Sequence, residues 1–284
     1  MKIGVSSYSF SKHLAATQCG YIEICNIAKE IGFDGIEFIG LVNEKWGITG
    51  DPLKIAAEIR EHCEKIGLDI IAYTIGANFL ADDMKAEVER LKGCVDICAA
   101  LGAPLMRHDV ASKLKPIHMY GYEDAIEEMA PYIREVADYA ESKGIKTCSE
   151  NHGFIFQAPE RVEELILAVN HKNYGWLCDM GNFLCADCDP AESVYIAAPY
   201  AFHVHAKDFI FKPAGERIPA GFITTAMGNG IRGTVVGHGV VPVEQCVNIL
   251  KRAGYDKYLS IEFEGAEDNI PAIKAGFEYL KSIV

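Results

Sequence analysis

Four short segments of the sequence carry side chains that bind divalent cations, and each stands where an apolar, strand-like run ends. They are Ser149-Glu150-Asn151-His152, Cys178-Asp179-Met180-Gly181-Asn182, His203-Val204-His205-Ala206-Lys207-Asp208 and Ile261-Glu262-Phe263-Glu264. Carboxylates such as Glu150 and Asp179, each closing such a run, are seldom buried without a partner or a metal. His203 and His205 stand two apart, as do Glu262 and Glu264, so in an extended strand each pair points to one side. Two or three carboxylates with one imidazole form a hard, oxygen-rich site for one divalent ion. Mn²⁺ is the expected occupant, with Mg²⁺, Co²⁺ and Zn²⁺ as alternatives.

Residues this far apart in sequence meet only if the fold brings strand ends together. Strand-like runs near residues 3–8, 35–39, 69–75, 104–108, 145–150, 175–179, 201–206 and 258–263 alternate with amphipathic stretches. Their spacing, about 35 residues, is that of a βα repeat. Eight such units predict an α/β fold in which a closed (β/α)8 barrel gathers its strand ends on one face. An open doubly wound sheet would carry a glycine-rich loop after the first strand, and Ser6-Ser7-Tyr8-Ser9-Phe10 has no glycine. Helices are expected over 22–31, 52–66, 82–101, 122–142 and 159–169, with Gly32, Gly67, Gly102 and Gly144 placed to end the first four. Between the seventh and eighth strands, residues 209–241 hold seven glycines and two prolines. An extended Gly-rich insertion, a loop or a hairpin, is expected there, covering substrate or touching another subunit.

The chain of 284 residues suits a single domain, 1–284, without a compositional break. Its net charge of −13, from 40 acidic and 27 basic residues, argues against a nucleic-acid partner. No apolar run reaches the roughly 20 residues of a membrane span. The N-terminus lacks a secretory pattern, and the ten cysteines read as reduced core residues, so a cytoplasmic location is expected. Cys185-Ala186-Asp187-Cys188 is a lone C-x-x-C that reads as loop and helix-start chemistry rather than a zinc or redox site.

The sequence resembles the xylose isomerase-like barrel superfamily, in its branch of sugar and sugar-phosphate isomerases and epimerases, which includes ketose 3-epimerases and inosose isomerases. The residues that carry the likeness run from Gly32-Phe33-Asp34-Gly35-Ile36-Glu37 to Ser260-Ile261-Glu262-Phe263-Glu264-Gly265. Gly237-His238-Gly239 and Ala253-Gly254-Tyr255-Asp256 lie between. The resemblance implies a (β/α)8 TIM barrel and places four metal ligands on Glu150, Asp179, His205 and Glu262. It also implies that Glu150 and Glu262 exchange the proton of the substrate carbon. The chemistry is consistent: a metal on a carbonyl and its neighbouring hydroxyl stabilises the enediolate left by C–H deprotonation, and carboxylates on two faces remove and return the proton. Many relatives have a histidine three residues after the strand-six aspartate. Asn182 stands there instead and does not titrate near neutrality. Endonuclease IV, of the same fold, uses three zinc ions and many histidines that this chain lacks.

Further candidates surround this set. His152 is a candidate base and Lys207 a candidate oxyanion stabiliser, which an ion pair with Glu37 or Glu264 would engage instead. Arg107, His108, Asn182, His238 and Glu37 are candidate substrate contacts, and His203 is expected to orient a ligand. The leading expectation is a metal-dependent isomerase or epimerase acting on a small carbohydrate. The alternative is a lyase that cleaves 3-oxo-glycosides, including C-glycosides, after the same deprotonation, with Tyr8, Phe10, Phe38, Trp46, Phe79 and Phe183 available for an aromatic cleft. A non-catalytic sugar-binding barrel is the third reading, and the intact ligand set speaks against it. A homo-oligomer is expected, or a hetero-oligomer for a deglycosidase.

Overall fold

The computed structural model describes residues 1–111, 113–115 and 121–284. In chain order its strands are β1 (Lys2–Ser6), β2 (Gly35–Ile39), β3 (Asp69–Ile75), β4 (Leu105–His108), β5 (Lys146–Glu150), β6 (Tyr174–Asp179), β7 (Ala201–Ala206), β8 (Asp208–Lys212), β9 (Ile223–Thr224), β10 (Gly230–Thr234) and β11 (Tyr258–Ile261). All but β8–β10 close into one parallel barrel in the order β1-β11-β7-β6-β5-β4-β3-β2. The eight strand positions read from the sequence each fall on a barrel strand. The last strand stops at Ile261, so Glu262 and Glu264 stand just beyond it, on the face where the other strand ends open.

Helices α1 (Ser11–Thr17), α2 (Gly20–Ile31), α3 (Pro52–Ile66), α4 (Met84–Leu101), α5 (Tyr122–Ser142), α6 (Pro159–Val169), α7 (Pro190–Ala197), α8 (Val243–Arg252) and α9 (Asn269–Ile283) surround the strands. α3 shows how locally determined they are. The Asp51 carboxylate accepts from the Leu53 N–H, Pro52 opens the first turn, and Gly67 ends the helix at φ 66°. Its buried face, Ala56, Ile59 and Cys63, turns toward the barrel. Among the described residues no helix is long and apolar enough to cross a membrane.

The stretch between β7 and α8 holds the antiparallel sheet β8-β10-β9, in which Arg232 of β10 pairs with Ile210 of β8. Two aspartates fasten it to the barrel. Asp208 is buried, and its carboxylate accepts from the backbone N–H groups of Phe209, Gly237, Gly239 and Val241. Asp187, at φ 58° inside the C-x-x-C, accepts from the Thr225 hydroxyl, the Met227 N–H and the Asn229 amide. The ten cysteines are free thiols.

Candidate metal centre and active site

The barrel register brings the first pair of site residues together, because Asp179 on β6 lies directly beside His205 on β7. Asn151, one residue past β5, ties the next strand end into the set. Its carbonyl oxygen accepts from the Asp179 N–H at 2.9 Å and from the Trp176 indole at 3.1 Å, and its amide donates to the Asp179 carbonyl at 2.8 Å. Glu150 and Asp179 are thereby held at fixed separation. Asp179 Oδ1 accepts from the N–H groups of Gly181 and Asn182, which leaves Oδ2 to face the centre. Gly181 must be glycine, since a Cβ there would come within 2.7 Å of the Lys207 carbonyl. The backbone on either side of Glu262 is clasped by the buried Ser9, whose hydroxyl donates to the Ile261 carbonyl and accepts from the Phe263 N–H.

Glu150, Asp179, His205 and Glu262 each offer a ligand atom within 4.8 Å of the others. His205 Nδ1 is 3.8 Å from Glu150, 3.7 Å from Asp179 and 3.6 Å from Glu262. Asp179 Oδ2 and His205 Nδ1 are buried without a hydrogen-bond partner. Buried polar atoms are rarely left so, and a divalent cation would complete both. The donor set fits such an ion. Burial lowers the proton affinity of the His205 imidazole, yet Glu37 and Glu262 raise it well above its usual range. The same negative field draws a divalent cation.

Cations balance the carboxylates. Arg107 Nη2 lies 2.7 Å from Glu150 and 2.8 Å from Asp109. Lys207 Nζ lies 2.6 Å from Glu262, 3.3 Å from Asp179 and 3.6 Å from Glu264, and donates to Asn182 Oδ1. Asn182 completes a bridge by donating its amide to Glu150 at 2.8 Å. Burial opposes ionisation of Glu150, but Arg107 and His205 together outweigh it and keep the carboxyl below its ordinary range. Burial likewise opposes ionisation of Glu262, and Lys207 and His205 hold it well below. Burial raises the neighbouring Glu264 instead. Two carboxyls two residues apart thus differ in proton affinity, a useful arrangement for proton transfer.

A cavity of about 380 Å³ opens over this centre, lined among others by Arg107, Asp109, Glu150, His152, His205 and Glu262. His152 Nδ1 rests 3.0 Å from Asp109. A second cavity of about 430 Å³ shares Tyr8, His152, Lys207 and Glu264 with the first and runs under the β8–β10 sheet. Phe154, Phe209, Ile223 and Ile231 give it an apolar wall.

Three candidate substrate contacts lie elsewhere. Glu37 is fully buried, with Oε2 2.7 Å from His203 Nε2 and Oε1 2.7 Å from His205 Nε2. Burial would push its carboxyl up, but the two imidazoles hold it well below the carboxylate range. It braces the far side of His205 rather than reaching substrate. We expect Glu37→Gln to weaken divalent-metal affinity 10- to 100-fold with the fold retained, as titration calorimetry would measure. His238 is exposed on the turn held by Asp208 and lines neither cavity.

His108 is the third. Alternation along β4 sends Arg107 into the barrel and His108 outward, where its ring packs 5.1 Å from Phe79 and 5.9 Å from Tyr174. Burial lowers its pKa from 6.5 to about 4. The neutral ring favours folding above pH 6.5, and that contribution fades as pH falls toward 4. Between pH 7 and 5 the wild type should lose about 2 kcal/mol more stability in urea unfolding than His108→Phe. Equal losses would place the acid sensitivity elsewhere.

Of the aromatics read as a cleft, only Tyr8 lines the cavities. Phe10, Phe38, Phe79 and Phe183 are fully buried and Trp46 nearly so. Phe154 and Phe209 take that place. Asn151, Ser9 and Asp109 were not singled out by sequence. Asn151 lies inside the first chemical segment, and Asp109 directly follows Arg107-His108, so adjacency was the only signal.

The comparisons with known proteins agree with the barrel fold. No curated protein sequence gives a significant match. The family model for xylose isomerase-like TIM barrels matches residues 25–283. Among solved structures, the IolI protein with a bound zinc atom superposes with a TM-score of 0.77 at 19% identity, covering 100% of this chain and 98% of that one. The probable 3-DHS dehydratase AsbF of petrobactin synthesis from Bacillus anthracis gives 0.75 at 18% identity, covering 99% of each chain. A D-tagatose 3-epimerase-like protein gives 0.71 at 20% identity, covering 100% and 98%. These identities speak for the fold, and the family match spans nearly the whole sequence. The chain belongs to the xylose isomerase-like TIM barrel family.

Proposed function

We propose that the protein is a divalent-metal-dependent isomerase or epimerase that moves a proton at a carbon next to the carbonyl of a small carbohydrate. The convergence of Glu150, Asp179, His205 and Glu262 within 4.8 Å, at the floor of an open cavity, carries this reading. A bound divalent ion would polarise the carbonyl and an adjacent hydroxyl and stabilise enediolate charge. The chain's own residues supply the rest. Glu150 and Glu262 take and return the proton, while Arg107 and Lys207 keep the two carboxylates ionised between turnovers. Lys207 also stands ready to meet negative charge on the substrate oxygen, and Asn182 holds Glu150 in place. The metal of the IolI structure and the epimerase-like neighbour support the reading.

A second reading rests on the second cavity, which exceeds what a small ketose over the first would fill. Its apolar wall suits the non-sugar part of a 3-oxo-glycoside. His152, at the boundary and paired with Asp109, would take the proton next to the carbonyl. The C–H electrons form a carbon–carbon double bond as the aglycone leaves from the next carbon with its bonding pair.

An NMR time course of the Mn²⁺-treated protein in D₂O tests both, with the paramagnetic ion removed before spectra are taken. Free ketoses that gain deuterium next to the carbonyl and yield a new sugar establish the first reading. Release of an aglycone from 3-oxo-glycosides, with ketoses inert, establishes the second. No exchange in either panel would count against proton transfer at this centre.

A further inference from the structure

The opposite end of the barrel, where strands begin, holds another cavity of about 400 Å³ that the proposed chemistry does not use. Its lining comes from the first residues of several strands, including Lys2, Leu105, Lys146, Phe202 and Tyr258. The floor is apolar, with Ile71 and Leu105 from the inner cluster and the ring of Phe202. That ring lies flush on β6 because residue 175 is glycine, where a Cβ would come within 2.7 Å of it. Two ammonium groups converge on the same ring. Lys146 Nζ is 4.6 Å and Lys257 Nζ 5.2 Å from its centre.

Lys2 is engaged with Asp69 at 2.7 Å, but neither Lys146 nor Lys257 forms an ion pair among the described residues. Partial burial lowers the proton affinity of Lys257, and the nearby Lys146 charge lowers it further. Asp256, which also lines the cavity, offsets the Lys257 charge in part, and two ammonium groups gathered over one apolar surface still favour a further negative group between them. Cation–π contact with Phe202 offsets this only in part.

We infer that this cavity is a second small-molecule site, taking an organic carboxylate with a compact apolar body. The carboxylate lies between Lys146 and Lys257, and the apolar body covers Ile71, Leu105 and Phe202. The cavity has the size and mixed lining of ordinary ligand sites, an apolar surface with a few convergent polar groups. His203 closes its inner end, and beyond His203 stand Glu37 and His205, so the site backs onto the metal centre without sharing its mouth.

Benzoate is a suitable probe, and titration calorimetry at low ionic strength the measurement. The wild-type protein should bind one benzoate at this end of the barrel, and benzamide, of the same shape without charge, at least tenfold more weakly. The double variant Lys146→Met, Lys257→Met should lose benzoate affinity at least tenfold with an unchanged melting curve, since neither ammonium forms an ion pair among the described residues. Lys54→Met, which removes an exposed positive charge from α3 on the outside of the barrel, should keep it. Benzoate affinity unchanged in the double variant would overturn the assignment. So would affinity lost through Lys54→Met, equal binding of benzamide, or no binding at millimolar benzoate. None of these outcomes depends on the reaction proposed above.

Discussion

Replacing Glu150 by Gln is expected to lower turnover about a thousandfold or more, because one substitution removes both a metal donor and a proton acceptor. The fold should survive. Arg107 retains Asp109 at 2.8 Å, and the neighbouring strand end stays fastened by Asn151. A metal titration alongside the kinetics separates the two roles. Weakened binding with activity recovered at high Mn²⁺ would mark a ligand alone. Activity lost at saturating metal is the expected result and marks the proton transfer as well. A fully active Glu150→Gln enzyme would contradict the proposed mechanism.

The second large effect concerns Lys207. Without a divalent ion, its ammonium is the charge that holds Asp179, Glu262 and Glu264 together. The carboxylates of Asp179, Glu262, Glu264 and Glu150 keep it protonated despite burial that favours the neutral amine. Lys207→Met should therefore destabilise the chelator-treated protein by about 3–5 kcal/mol, the usual loss when one member of a buried charged cluster is removed. Saturating Mn²⁺ should restore much of that stability, since it binds only the folded chain. Urea unfolding with chelator and with Mn²⁺ makes the comparison. An equal loss under both conditions would show that the lysine does not compensate for an absent cation.

Much of this was readable in the residues, and the failures have physical reasons. The eight barrel strands were legible because each is a short apolar run closed by turn or helix signals, and five helices because their apolar spacing is regular. The β8–β10 sheet was legible only as a loop or hairpin, without the bounds of its strands. Its strands are two to five residues long in glycine-rich sequence, and their pairing depends on Asp187 and Asp208 gripping distant backbone groups. The four proposed ligand positions sit at strand ends, which a barrel gathers by construction. His108 sits at a strand end too and misled for that reason, whereas Glu37 lies in the middle of β2. Which side a strand residue faces follows from alternation, so Arg107 and His108, adjacent on β4, cannot both enter the cavity. Glu37 does point inward, but below the mouth, where His203 and His205 occupy both of its oxygens. His238 was chosen for its two flanking glycines. Those glycines instead serve Asp208, and a side chain at Gly239 would collide with that carboxylate.

The claim on which the account rests is a single divalent ion held by Glu150, Asp179, His205 and Glu262. The most direct test is Mn²⁺ titration calorimetry of metal-stripped wild type beside Asp179→Ala, whose Oδ2 faces the centre 3.3 Å from the Lys207 ammonium and without a hydrogen bond. The account predicts one Mn²⁺ per chain in the wild type and affinity weakened at least a hundredfold in a folded variant. No stoichiometric binding by the wild type, or equal binding by both proteins, would contradict it.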